Sequence, residues 1–442
     1  MKVSYLMLFG GFIIGISSIN AQEKTNLKLE EAINLAWTKS NEVSLANTKV
    51  ETKKQELQSV KNNQYPDFKI TGQYLRLTEA TVDLQFNAGA KALPVPDQLL
   101  IGQASLKVPV FAGMKIQNGI KLQDNLFQAE NAMASKTKED MAMRVINYYA
   151  NLYKVQRTVE LLKENQKSAQ QRVTDFIALE KNGIIPRNDL LKSQLQVSKI
   201  QLSLDEAMNN ETIINYYLVT LLKLPTETKL VVNESDLIGF PKSALPTDEQ
   251  PAFQNRKDLE ALHYQEKATQ DNINMAKGDY YPNIALVGGY AALNLNNIIT
   301  LENAMFFGVG LSYDISGVLK NGTQVKIAES KALEVKNSEE LLKDNIRIQV
   351  QQAITNYDLA QKQNLVYNQA VEQATENYRI VKDKYDNGLS DTNDLLEADV
   401  EQLRSKISET IAKVDVIQKY YELLSATGQL TQTFNSPIGT KI

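Results

Sequence analysis

The hydrophobic positions of this chain follow two different periods. From residue 29 to about 63, from 115 to 224 and from 320 to 427, apolar residues recur every three or four positions. This spacing predicts amphipathic helices, and a 3.5-residue repeat sustained over many turns is typical of coiled-coil packing. A helix from about Lys115 to Asn182 would be roughly 100 Å long, at about 1.5 Å per residue.

Four short segments show a period of two instead, which predicts half-buried strands. The predicted strands cover 66–77, 98–111, 282–293 and 304–315. Their length of about ten residues is what a tilted strand needs to cross a bilayer. An apolar face opposite a polar one suits a membrane barrel around water, although a soluble hairpin packed on a core shows the same alternation.

One segment of the sequence occurs twice in similar form. The segment 182–191, Asn-Gly-Ile-Ile-Pro-Arg-Asn-Asp-Leu-Leu, returns at 387–396 as Asn-Gly-Leu-Ser-Asp-Thr-Asn-Asp-Leu-Leu. Both copies end one long helical stretch and begin another, so each predicts the tip of a helical hairpin. Fixed-offset similarity of this kind is the sign of a repeated structural unit.

These patterns predict two repeats, 22–224 and 256–430, joined by a linker at 225–255 and followed by a tail at 431–442. Each repeat is predicted to hold one helix, two strands and one helical hairpin. The predicted helices are 29–63 and 257–280, the hairpins are 115–224 and 320–427, and the tips are 183–187 and 387–392. Four strands are too few for a closed membrane barrel, which needs about eight, so a cyclic homo-oligomer is expected.

The N-terminus predicts export. Lys2 precedes a short apolar run, Leu6–Ile16, and a small residue, Ala21, follows it. This pattern is typical of a cleaved signal peptide over residues 1–21; a membrane anchor is the alternative, but the run is shorter than the roughly 20 residues that a spanning helix needs. The chain has no cysteine, so neither a disulfide nor an acylated N-terminal cysteine is available.

Composition and chemistry point away from an enzyme. The net charge is −4 over 442 residues, with no basic stripe, so nucleic acid is not a predicted partner. His263 is the only histidine and is interpreted as a surface or packed residue. With no histidine-based triad and no glycine-rich phosphate loop, we predict no catalytic residue, no cofactor and no metal.

With these features in place, the chain after Ala21 resembles the TolC-like outer membrane factors, the outer membrane efflux proteins. Leu27–Ala36 resembles the opening of mature members, Tyr65-Pro66 and Tyr281-Pro282 the entry into the strands, and the two Asn-Gly turns the hairpin tips. The resemblance implies a mainly α-helical chain with a membrane β-barrel: a homotrimer with a twelve-stranded barrel in outer membrane lipid and a periplasmic α-helical tunnel.

The resemblance also implies a function. The family forms passive exit ducts of tripartite efflux or type I secretion in the outer membrane of Gram-negative bacteria. The implied partners are a periplasmic adaptor (membrane fusion protein) and an inner membrane transporter of the RND, ABC or MFS type. The alternative is a soluble periplasmic coiled-coil adaptor or structural protein.

The family narrows to an iris at its periplasmic end, with a ring of carboxylates inside. On that pattern Asp394 and Glu397 match the ring, Tyr385 a constriction tyrosine and Asp189 its partner region. Residues at i and i+3 share a helix face. The alternative for Asp394 is a residue that only caps or solvates the start of a helix, where acids are favoured.

One position departs from the family pattern. Where some members have a basic residue between tip and carboxylates, this chain has Ser390 and Asp391. The salt links that hold those members closed are therefore expected to be absent or rearranged here.

The tips themselves are the implied adaptor contacts. They consist of Gly183 and Ile184 in the first repeat, and Gly388 and Leu389 in the second. Glycine permits the positive φ of a tight turn, and the apolar residue after it offers a small exposed contact. A plain helical turn that needs glycine for geometry alone is the alternative, and both interpretations stay open.

Overall fold

A computed structural model describes residues 24–78, 95–238, 248–296 and 298–435. The predicted signal peptide, most of the segment between the first two strands, part of the predicted linker and most of the predicted tail lie outside these residues. Among the helices that are described, none combines the length and the apolar character required to cross a membrane.

The elements of the first half begin with a short strand. In chain order they are β1 (Lys24–Asn26), α1 (Leu29–Lys39), α2 (Asn41–Asn62), β2 (Asp67–Arg76), β3 (Gln98–Ala112), α3 (Lys115–Lys181) and α4 (Arg187–Leu221). The segment predicted as a linker holds β4 (Lys229–Val231), α5 (Glu234–Ile238) and α6 (Gln250–Asn255). β4 pairs in parallel with β1.

The second half repeats the same order of elements. It consists of α7 (Lys257–Lys277), a short 3-10 helix (Gly278–Tyr280), β5 (Asn283–Leu295), β6 (Ile299–Ser312), α8 (Ile315–Asp386), α9 (Thr392–Ala426) and α10 (Leu430–Asn435). The predicted fold class, long helical hairpins with four longer strands, is confirmed.

Three predicted boundaries differ from the structure. The helix predicted at 29–63 is two helices, because Ser40 has an extended backbone with φ −70° and ψ 143°. The strand predicted at 304–315 runs from Ile299 to Ser312, since the turn after β5 is shorter than expected. α8 consequently begins at Ile315 rather than at 320. At this start of the helix, the Asp314 carboxylate accepts a hydrogen bond of 2.9 Å from the Gly317 N–H.

The four longer strands form one antiparallel sheet in the order β2-β3-β5-β6. Its register places apolar residues of all four strands on the same face, because directly paired residues point to the same side. One row runs Ile70, Ala104, Tyr290 and Met305. The large members of this face, which we call the apolar sheet face, are exposed: Phe68, Ile70, Tyr74, Leu100, Leu106, Leu286, Met305, Phe307, Val309 and Leu311.

The chain forms two compact units, and each unit takes segments from both repeats. The first, called the tip unit, draws its described residues from 1–40, 144–242 and 360–418. The second, called the sheet unit, draws them from 41–143, 243–359 and 419–442. The compact units therefore do not coincide with the two sequence repeats.

Each unit has its own buried apolar clusters. In the tip unit, α3 and α4 pack together through Val159, Leu162 and Leu204. In the sheet unit, the Ala252 and Leu259 side chains pack on Ile346 and Val350 of α8. Burial of such side chains stabilises helix packing by about 1.5–3 kcal/mol each.

Candidate functional site

The two hairpin tips in the tip unit have the same backbone geometry. Gly183 and Gly388 have φ values of +74° and +72°. The N–H of Ile184 donates to the Leu179 carbonyl at 2.9 Å, and the N–H of Leu389 donates to the Lys384 carbonyl at 2.8 Å. This six-residue bond is the Schellman arrangement that ends a helix with a left-handed residue. Glycine is required here for its φ, since a Cβ at either position would meet open space.

An exposed apolar side chain follows each tip glycine. Ile184 is 68% exposed and Leu389 is 78% exposed. Neither side chain contributes much to the packing of its own hairpin. Both are placed where a partner could bury them, as the predicted docking role requires; the role itself is still a prediction.

Asp391, which departs from the family pattern, caps the start of α9. Its Oδ1 accepts hydrogen bonds from the backbone N–H groups of Asn393 at 2.8 Å and Asp394 at 3.0 Å. An aspartate at this position satisfies N–H groups that have no partner within the helix. The neighbouring departure, Ser390, donates its hydroxyl to the Asp394 carboxylate at 2.7 Å.

The predicted carboxylates lie on one exposed face of α9. Asp394 and Glu397 are exposed, whereas Leu395 and Ala398 beside them are buried. The two acids therefore point away from the hairpin core. The alternative role of capping the helix belongs to Asp391 rather than Asp394, because Asp391 accepts the hydrogen bonds.

The other two predicted gate residues lie instead where the two hairpins meet. The Tyr385 ring stacks on Phe176 of α3, with centroids 5.9 Å apart. The Tyr385 hydroxyl is buried and has no hydrogen-bond partner. Asp189 of α4 accepts a hydrogen bond of 2.8 Å from the Thr392 hydroxyl of α9. The four predicted residues thus divide into an exposed acidic pair and two contacts between hairpins.

A third contact between the hairpins was not predicted from the sequence. Arg172 of α3 forms a buried ion pair with Asp399 of α9 at 3.1 Å, with side chains 10% and 4% exposed. Asn165 donates to the same carboxylate at 3.2 Å, and the guanidinium also reaches the Tyr378 hydroxyl at 3.5 Å. Although burial disfavours its charge, the pKa of Arg172 lies above its usual range because Asp399 stabilises the charged form.

Comparison with known proteins finds a match to a family model over part of the chain. Residues 250–429 match the sequence model described as outer membrane efflux protein. The matched range contains the second hairpin tip, Asp394, Glu397 and Asp399. A search of curated protein sequences finds no match.

The fold of most of the chain resembles solved outer membrane channels and a solved outer membrane protein. The Campylobacter jejuni CmeC outer membrane channel aligns with a TM-score of 0.73 at 16% identity, covering 97% of this chain and 94% of that one. VceC, an outer membrane protein of Vibrio cholerae, aligns with a TM-score of 0.75 at 14% identity, over 90% and 96%. The open state of the Neisseria gonorrhoeae MtrE outer membrane channel aligns with a TM-score of 0.77 at 15% identity, over 91% and 89%.

These findings confirm the resemblance to TolC-like outer membrane factors that the sequence motifs indicated. They support the predicted outer membrane channel over the alternative of a soluble coiled-coil adaptor.

Proposed function

We propose that this outer membrane efflux protein forms the exit duct of a tripartite efflux or type I secretion system. Three copies assemble in the outer membrane, and their helices extend the duct into the periplasm. A periplasmic adaptor and an inner membrane transporter deliver the cargo, and the duct itself is passive.

The apolar sheet face carries this proposal. Four strands of ten to fifteen residues are long enough to cross a bilayer. Their register gathers exposed side chains such as Phe68, Ile70, Phe307 and Leu311 on one side. A contiguous exposed apolar surface of this kind marks a contact with lipid or protein. On a chain with the fold of efflux channels, lipid is the occupant that fits, and sheets from three chains supply the strands that one chain lacks.

The sheet's other face fits the lining of a wet interior. It presents Lys69, Thr71 and Gln73 of β2, which pair with Ser105 and its neighbours of β3. Alternation between a lipid face and a polar interior is the pattern of membrane barrels. In a soluble adaptor, the apolar sheet face would be expected to pack on a core rather than to stay exposed opposite this polar face.

Membrane fractionation and single-channel recording test the proposal. We expect the full chain in the outer membrane fraction as an oligomer that heating dissociates, and ion conductance after reconstitution into planar bilayers. Recovery as a soluble periplasmic monomer, with no conductance, would overturn the channel and favour the adaptor alternative.

The exposed acids predict a cation-sensitive constriction. Three copies of Asp394 and Glu397 around a narrow lumen would favour cations and bind divalent ions. We expect the double variant Asp394→Ala/Glu397→Ala to abolish block of the channel by divalent cations in single-channel recordings. Asp383→Ala, which removes an exposed acid on α8, should leave the block intact. Unchanged block in the double variant would remove these acids from the proposed gate.

The tips predict a separable docking defect. Leu389→Asp changes an exposed side chain without altering the backbone of the turn, so the hairpin should fold as before. We expect loss of export in cells, with normal amounts of outer membrane oligomer. The matched control is Leu389→Met, which keeps an exposed apolar side chain at the same position and should keep export. Full export by Leu389→Asp would favour the plain-turn interpretation of the tip.

A further inference from the structure

The only histidine of the chain lies against two carboxylates in the sheet unit. His263 and Glu266 are one turn apart on α7, and Glu339 approaches them from α8. One potential ligand atom from each residue lies within 4.8 Å of the other two. The His263 Nδ1 and a Glu266 carboxylate oxygen are 3.8 Å apart. The cluster therefore joins two helices, α7 and α8, and it mixes nitrogen with oxygen donors.

We propose that His263, Glu266 and Glu339 bind one divalent transition-metal ion, with zinc as the best fit. Zinc takes imidazole nitrogen and carboxylate oxygen at about 2.0–2.2 Å, usually in a tetrahedral arrangement. The donor atoms must draw slightly closer to reach that geometry. His263 and Glu266 have room to do so, because their side chains are 54% and 40% exposed. Water would complete the coordination.

The charges around the cluster allow one carboxylate to turn towards a metal. Lys343 of α8 pairs with Glu339 at 2.8 Å and with Glu340 at 2.9 Å. The hydrogen bonds that Lys343 donates to these two carboxylates raise its pKa above the usual value. If Glu339 rotates to a metal ion, Lys343 keeps Glu340 as its partner. Metal binding therefore leaves no charge without a neighbour of opposite sign.

The donor set distinguishes among metals. Calcium and magnesium take six or more oxygen ligands and gain little from an imidazole. Imidazole with carboxylates suits zinc and its neighbours, with copper binding more tightly by the general affinity order.

Titration of the purified full-length protein with zinc chloride tests the site, with cobalt as a spectroscopic probe. We expect one zinc per chain at pH 7.5, a cobalt absorption band typical of few-coordinate N/O ligation, and a higher unfolding temperature with zinc. His263→Ala should lose the cobalt band and the thermal shift. Loss of an outer-shell partner already weakens metal binding by about 10–100-fold, so loss of a ligand should weaken zinc binding by at least that much.

Asp344→Asn is the matched control, since it removes an exposed carboxylate of α8 that pairs with Arg347 and is outside the proposed ligand set. It should keep zinc binding, whereas Glu339→Gln should lose it. Equal zinc binding by the wild type, His263→Ala and Glu339→Gln would overturn the site, as would equal responses to magnesium and zinc. These readouts do not depend on export, so the metal site can fail while the proposed duct holds, and the reverse.

Discussion

Asp399→Ala is expected to destabilise the tip unit by about 3–5 kcal/mol, the usual loss when one partner of a buried ion pair is removed. Among the described residues, the substitution would leave the buried Arg172 guanidinium with the Tyr378 hydroxyl, at 3.5 Å, as its remaining hydrogen-bond partner. It would also remove the acceptor for Asn165. A fall in the unfolding temperature, followed by the loss of helical circular dichroism in detergent, measures the effect.

A second variant separates the buried charge from the loss of packing. Arg172→Met/Asp399→Leu replaces both charges by apolar side chains of similar size, and such replacements are often neutral or stabilising. We therefore expect the double variant to recover much of the stability that Asp399→Ala loses. Asp383→Ala is the control at an exposed pair, Arg379–Asp383 at 2.9 Å, where the expected loss is below about 1 kcal/mol. Equally small losses of stability in Asp399→Ala and Asp383→Ala would show that the buried ion pair contributes no more than an exposed one.

The hairpin tips could be predicted from the sequence because their signals are local. The repeated Asn-Gly pair fixes a left-handed residue after a long helix, and the structure has that geometry at Gly183 and Gly388. The strands were predictable for the same reason, since their alternation is visible within ten residues. The start of β6 was misplaced because Asn294 and Thr300 are polar positions that belong to the sheet and resemble a loop in sequence.

Contacts between distant segments had no comparable signal. Arg172 and Asp399 are 227 positions apart, and each is an ordinary charged residue within a helical pattern. Tyr385 was selected as a constriction residue from the resemblance, whereas its stacking on Phe176 depends on how two hairpins pack. His263 and Glu266 show a one-turn spacing that was visible in the sequence, but Glu339 enters only through the packing of α8 against α7.

The sheet unit contains a buried carboxylate that should make stability depend on pH. Glu139 of α3 is only 2% exposed, and one of its carboxylate oxygens has no hydrogen-bond partner. Burial raises its pKa to about 7, and Asp140 adds to the rise. Lys136, Arg256 and a hydrogen bond with the backbone of Leu430 oppose it. Burial is the largest of these influences, so the protonated form is favoured in the folded state.

The sign of the pH effect follows from the raised pKa. The folded protein binds this proton more tightly than the unfolded chain does, so the stability is fully present below about pH 4.5 and is lost as the pH rises through about 7. A rise of this size corresponds to about 3 kcal/mol, at roughly 1.4 kcal/mol per pKa unit. At pH 8 the buried Glu139 carboxylate is therefore a cost to the folded state.

Glu139→Gln keeps the shape of the side chain and removes its charge, so we expect a higher unfolding temperature than the wild type at pH 8 and little difference at pH 5. Thermal unfolding of both proteins at the two pH values measures this. Asp124→Asn, an exposed acid on the same helix, should show no such difference between the two pH values. A Glu139→Gln variant that is less stable than the wild type at pH 8 would mean that the carboxylate is ionised and held by Arg256 and Lys136. The raised pKa instead predicts that the neutral side chain suits this buried position better than the charged one.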